Sequence, residues 1–137
     1  MASAAKPLPL KPLTATLRLD LHLVEAGVPL ATLNAFVASS GIPLKDVYDI
    51  VIPARTLKHR RERKQNLTRD ESDKLARLVR IYDFSVRVFG DKTLAREWMQ
   101  EPKERFSGRS PLAMLGTDLG GRLVEEFLIQ IDEGMFV

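Results

Sequence analysis

Apolar residues recur along this chain in short runs at helical spacing, divided by glycine and proline. Leu30, Leu33, Phe36 and Val37, ended by Ser39-Ser40-Gly41, mark an amphipathic helix with a glycine C-cap. Upstream, Asp20 to Ala26 followed by Gly27 suits a short helix, although leucine at 17, 19, 21 and 23 also fits the period of two of a strand. Pro43 opens the next helix, carried by Leu44, Val47, Tyr48 and Val51, and Ile52-Pro53 breaks it. Arg55 to Lys64 restarts as a polar helix with Leu57 as its buried anchor. Two short helices joined by a three- or four-residue turn, the second one basic, make a helix-turn-helix.

The second half follows the same logic. Thr68 and Glu71 form a capping box, so a long helix starts here. Leu75, Leu78, Val79, Tyr82, Val86 and Phe89 follow one face, and Ile81, Phe84 and Val88 supply a second, which gives this helix neighbours on two sides. Gly90 stops it, Asp91 caps a helix with Leu94, Ala95, Trp98 and Met99, and Pro102 ends that one. Ser110-Pro111 opens a further turn with Leu112, Met114 and Leu115. Thr117 or Asp118 starts the last helix, whose Leu119, Leu123, Val124, Phe127, Leu128 and Ile131 line one stripe. The expected fold is all-α: a proline-rich, flexible arm over 1–19, a helix-turn-helix region over 20–66, and a small C-terminal helical bundle over 67–137, joined without a long linker.

Composition removes several function classes. A chain of 137 residues, 45% apolar, makes one compact domain or two very small ones. Without cysteine there is no disulfide, thiolate metal site or cysteine nucleophile, and two histidines are too few for a histidine metal site. The longest uncharged run, Ala26 to Leu44, is interrupted by Gly27, Pro29, Gly41 and Pro43, and the proline-broken start lacks a signal-peptide core, so a cytoplasmic protein is expected. No His lies near a serine nucleophile, and Gly116 to Gly121 lacks the Lys-Ser/Thr ending of a phosphate loop. Helix capping and close packing explain those glycines. Neither an enzyme nor a cofactor is expected.

Charge divides the chain. Residues 1–64 hold 10 Lys and Arg against 5 Asp and Glu, net +5; residues 65–137 hold 11 against 13, net −2. Arg55 to Lys64 alone carries six basic residues and one acid. A solvated charged face is the plain reading of such a run, but neighbouring cations on a helix repel one another unless an anion is near. In a helix-turn-helix the first residues of the second helix reach base edges and later ones meet phosphates. Arg55, Thr56, Lys58 and His59 are then candidate base readers, and Arg60, Arg61, Arg63 and Lys64 candidate phosphate contacts. One short recognition helix gives few base contacts, so binding is expected to need a homodimer.

Leu67-Thr68-x-x-Glu71-Ser72-x-x-Leu75-x-Arg77-Leu78-x-Arg80-Ile81, then Val88-Phe89-Gly90-Asp91, Ala95-x-x-Trp98, Pro102, Gly108-Arg109-Ser110-Pro111-Leu112 and a closing amphipathic helix to Gly134 resemble the Xre/MbcA/ParS antitoxin family. Arg55-Thr56-Leu57-x-x-Arg60-Arg61 is similar to its helix-turn-helix. The chain departs from the family's usual pattern at Ser107-Gly108-Arg109-Ser110 and at Pro53. The resemblance implies an antitoxin that neutralises a RES-domain toxin, an NAD-depleting enzyme, through its C-terminal domain, and represses its own operon by binding operator DNA. The residues themselves offer Arg109, Glu125, Glu126, Asp132, Glu133, Gly134, Met135, Phe136 and Val137 as toxin contacts: the acidity of this end suits a basic, dinucleotide-binding site, and the apolar Met135, Phe136 and Val137 either insert into the toxin or fold back on their own core. A stand-alone repressor, with or without a small ligand, and a structural DNA binder are the other classes. A ligand sensor would show an apolar cavity in the second half, and a structural binder little preference among sequences.

Overall fold

Short capping side chains set where the helices begin in the structure, a computed structural model that describes residues 19–134. The Asp20 carboxylate accepts the Leu23 N–H at 2.9 Å and opens α1 (Leu21–Ala26). Helices α2 (Leu30–Ser40), α3 (Leu44–Ile50) and α4 (Ala54–Glu62) each follow a proline, whose fixed φ suits a helix start. Gly41 ends α2 in the left-handed conformation, at a φ of 73°. The spine α5 (Arg69–Phe89) opens on the expected capping box: Thr68 Oγ1 accepts from the Glu71 N–H at 3.1 Å, and Glu71 Oε1 accepts from the Thr68 N–H at 2.8 Å. Asp91 caps α6 (Lys92–Gln100), and Thr117 caps α7 (Asp118–Asp132). Ser110 Oγ accepts from the Ala113 N–H at 3.0 Å, but the segment it opens, Leu112–Gly116, is a 3-10 helix rather than an α-helix. The described residues are thus all-α, with one isolated bridge between Lys103 and Arg109.

One hydrophobic core lies on both sides of the expected division at Asn66. It runs from Val28, Leu33 and Phe36 through Leu57 and Leu67 to Leu75, Tyr82, Met99, Leu115 and Leu128. Polar groups stitch the two regions as well. The Val28 N–H donates to the buried Ser72 hydroxyl at 2.9 Å, and the Leu67 N–H donates to the Val28 carbonyl at 2.9 Å. Gly27 permits this approach: it has a φ of 100°, and a Cβ there would stand 2.6 Å from the Leu67 carbonyl oxygen. Tyr82, fully buried, donates its hydroxyl to the Ser40 carbonyl and meets Phe36 edge-on at 5.6 Å, and burial pushes its pKa up. Residues 1–18 of the expected arm lie outside the described residues, and Leu19 already packs against the core.

The last helix lies differently from the expected stripe. Val124 and Leu128 are buried, but Leu119 is 67% exposed and Leu123 40%. Gly120 and Gly121 take the inner positions instead. A Cβ on Gly120 would stand 1.8 Å from the Met114 carbonyl oxygen, and one on Gly121 would stand 2.9 Å from Arg77 Cδ. Small residues therefore bring α7 against the 3-10 helix, and the expected packing role of these glycines is what the structure shows. Trp98 lies half-buried, 5.5 Å from both Phe89 and Phe127, with Lys103 Nζ 5.1 Å from its ring centroid.

Candidate nucleic-acid interface and partner surface

Three residues, Val51 to Pro53, join α3 to α4, and Val51, Ile52 and Leu57 are buried where the turn and α4 meet the core. At about 100° per residue, burying Leu57 turns Arg55, Lys58, His59 and Glu62 to the opposite side of α4, and all four are exposed. Thr56 is half-buried at the edge of this face. Arg61, Arg63 and Lys64 are exposed around the C-terminal end, where Lys64 takes the left-handed conformation at a φ of 53°. This face can put a guanidinium, an ammonium and an imidazole into a groove, with further cations at its edge. Arg60 has another place. It flanks Leu57, its side chain is 22% exposed, and it donates to Glu71 Oε2 at 3.1 Å. Among the expected phosphate contacts, Arg60 alone is held against α5 in an ion pair.

That pairing escapes inspection of the sequence because the partners stand on different helices, eleven residues apart. Glu71 is legible as a capping residue, but its second oxygen is committed only once α4 folds back on the start of α5.

The C-terminal candidates fall on two sides of α7. Glu125 accepts from Arg80 of α5 at 2.6 Å, while Glu126, Asp132, Glu133 and Gly134 are exposed. Arg109, exposed in the loop before the 3-10 helix, donates to the Ala113 carbonyl at 3.2 Å. Leu119 and Leu123, with Met114 and Gly120, form a shallow groove beside Arg109, and Glu126 shares their side of α7. Sequence reasoning placed these leucines in the core. The signal that could have exposed them is the glycine pair, since the side that carries Gly120 and Gly121 must be the side in close contact. At the start of the loop Glu101 accepts from Lys103 at 2.8 Å, a hydrogen bond that holds its carboxyl below the usual carboxylate range. Met135, Phe136 and Val137 lie outside the described residues.

The groove along α5 is open and lined by Asp73, Arg77, Arg80, Asp83, Arg87 and Asp118, with Leu19, Ala76 and Val79, so it is not the apolar cavity expected of a ligand sensor. No cluster of three or more potential metal ligands occurs among the described residues, nor is any helix there long and apolar enough to cross a membrane.

A family model for the antitoxin Xre-like helix-turn-helix domain matches residues 21–80, and one for the antitoxin Xre/MbcA/ParS C-terminal toxin-binding domain matches residues 86–134. Antitoxin Xre of Pseudomonas putida is 52% identical over 86 residues, which cover 63% of this chain and 54% of the relative. Antitoxin Xre of Yersinia enterocolitica is 37% identical over 86 residues, covering 62% and 58%, and that of Photorhabdus laumondii 30% identical over 115 residues, covering 82% and 78%. The matched part of this chain thus spans little more than half the length of the first two relatives.

Proposed function

This chain belongs to the Xre/MbcA/ParS antitoxin family, and on that premise we propose that it neutralises a cognate toxin by direct contact and represses its own operon by binding operator DNA. The observation that carries the reading is that one core presents two unlike faces. The outer side of α4 is basic and built for a groove, whereas the toxin-binding match over 86–134 holds four exposed large apolar residues, Leu94, Leu119, Leu123 and Ile129. Of these, Leu119 and Leu123 lie together in one groove beside Arg109, and a contiguous apolar patch rimmed by charge marks a surface that a partner covers.

The toxin is taken to be a RES-domain enzyme that depletes NAD, in keeping with the motif order from Leu67 to Gly134. Such an enzyme needs cations for a pyrophosphate, and Glu126, Asp132 and Glu133 complement a site of that sign. Met135, Phe136 and Val137 are assigned to the same contact, which blocks the active site. Deleting residues 134–137 should then leave folding and DNA binding unchanged and the toxin active; full protection of cells by the truncated protein rejects that assignment. Operator binding uses a homodimer, since a repeated half-site doubles the few contacts that one α4 makes. A protein that represses its own operon acts in the cytoplasm.

Co-expression with the product of the neighbouring gene, followed by pull-down and a growth assay, tests the reading. Leu119→Asp with Leu123→Asp should leave the melting temperature and DNA binding intact, because both side chains are exposed. The pair should weaken toxin binding about 30-fold or more, the scale of an interface hot spot, and release the toxin. Unchanged neutralisation would place the toxin on another face.

A further inference from the structure

Glu71 sits where a DNA-binding surface ordinarily gains nothing from a carboxylate. Its side chain is 13% exposed, with one oxygen on the Thr68 N–H at 2.8 Å and the other on the Arg60 guanidinium at 3.1 Å. The same junction is fastened by neighbours. Asn66 Nδ2 donates to the Gly27 carbonyl at 3.2 Å, the Leu67 N–H to the Val28 carbonyl, and the Gln65 N–H to the Arg60 carbonyl at 2.9 Å. The start of α5 is thus fixed to the α1–α2 turn, and Glu71 is a fixed point rather than a mobile surface acid. Arg60 reaches it from the last turn of α4.

We propose that Arg60 and Glu71 form a latch that sets the angle of the recognition helix, so that an acidic residue is required for operator binding and Arg60 is a positioning residue rather than a phosphate contact. This rests on the DNA reading above. Leu57 is the buried apolar anchor of α4, and one anchor leaves a nine-residue helix free to roll about it. A second, polar anchor one turn later on the flank of Leu57 removes that roll and fixes the direction in which Arg55, Lys58 and His59 leave the surface. Base readout is sensitive to such placement, because a bidentate contact needs both donors aligned with one base edge. Phosphate attraction is not, since it depends on charge more than on direction.

The two roles differ in what they do to salt dependence. Full-length protein and its variants are titrated, over a range of salt, against a labelled duplex from the region upstream of its own gene and a scrambled duplex of equal length. Glu71→Gln keeps an amide oxygen to accept the Thr68 N–H but removes the charge that holds Arg60. By charge alone it should tighten DNA binding. The latch instead requires affinity for the upstream duplex to fall about tenfold, as when one base contact is lost, with the scrambled duplex little changed and the salt slope intact. Arg60→Ala, which leaves the cap untouched and so reports even if Glu71→Gln fails to fold, should behave the same way, and Arg60→Lys should recover most of the loss. Arg61→Ala serves as the contrast, lowering affinity for both duplexes and the salt slope by about one for each recognition helix engaged. Equal or tighter binding of the upstream duplex by Glu71→Gln overturns the latch. So does a slope for Arg60→Ala that falls as it does for Arg61→Ala. Wild-type protein that does not distinguish the two duplexes would instead overturn the DNA reading itself.

Discussion

Gly120→Ala is expected to lower the melting temperature on the order of 10 °C, the consequence of about 3 kcal/mol of overpacking in a chain of this size. The added methyl would stand 1.8 Å from the Met114 carbonyl oxygen and 2.9 Å from its carbon. Both atoms are backbone, so no side chain can rotate aside; α7 must move away from the 3-10 helix. That movement opens the contact made by buried Leu115, Val124 and Leu128. Two other glycines calibrate the effect. Gly121 faces Arg77 Cδ at 2.9 Å, a flexible side chain whose guanidinium donates to the Leu115 carbonyl, so alanine there should cost less than at Gly120. Gly90 has a φ of 71° and nothing within 4 Å of a built Cβ, so alanine meets only the left-handed penalty of about 1–2 kcal/mol. Melts followed by circular dichroism should rank the three with Gly120 far in front. A Gly120→Ala protein melting within a degree or two of wild type would show that the approach of α7 is not a rigid requirement.

What could be read in the sequence follows from how local each cause is. Asp20, Thr68, Asp91, Ser110 and Thr117 each act within three residues, which is why element starts and the capping box were legible before any tertiary contact was known. The stripe on α7 was not, because a hydrophobic pattern counts leucines and gives glycine no weight. Yet closest approach favours the absence of a side chain, and it turned Leu119 and Leu123 outward. Charge had the same weakness. Six cations in Arg55 to Lys64 pointed to an anionic partner, but their sum could not tell Arg61, exposed, from Arg60, held by an acid of another helix.

The spine explains why the two matched regions share one body. Its first turn holds Glu71 and Ser72, which fasten α4 and the α1–α2 turn, and its far end carries Phe89 against Trp98 in the C-terminal match. From α6, Arg96 reaches the Ser40 carbonyl at the C-terminal end of α2, where a cation is favoured by the helix dipole. Neither half closes its own core.

The second large effect is on DNA. Arg61→Ala, Arg63→Ala and Lys64→Ala in one protein should weaken operator binding on the order of a hundredfold at 0.15 M salt for each recognition helix engaged. Each phosphate contact removed withdraws the release of about 0.9 counterion, which is worth about fivefold at that concentration. All three side chains are exposed, so folding should be unaffected, and the loss should be shared by operator and random duplexes. Raising salt to about 0.5 M should shrink the deficit below about tenfold per helix, because the missing term is itself entropic in the counterions. Arg55→Ala is the opposite kind of change. It should leave the slope nearly intact and cost about 1–3 kcal/mol at a single base position. The slope also counts helices. Losing three cations from one bound helix flattens the plot of log affinity against log salt by about 2.7, and losing them from both helices of a dimer by about 5.4. A change near the larger figure therefore supports two copies on one operator, and an unchanged slope would remove α4 from the DNA surface.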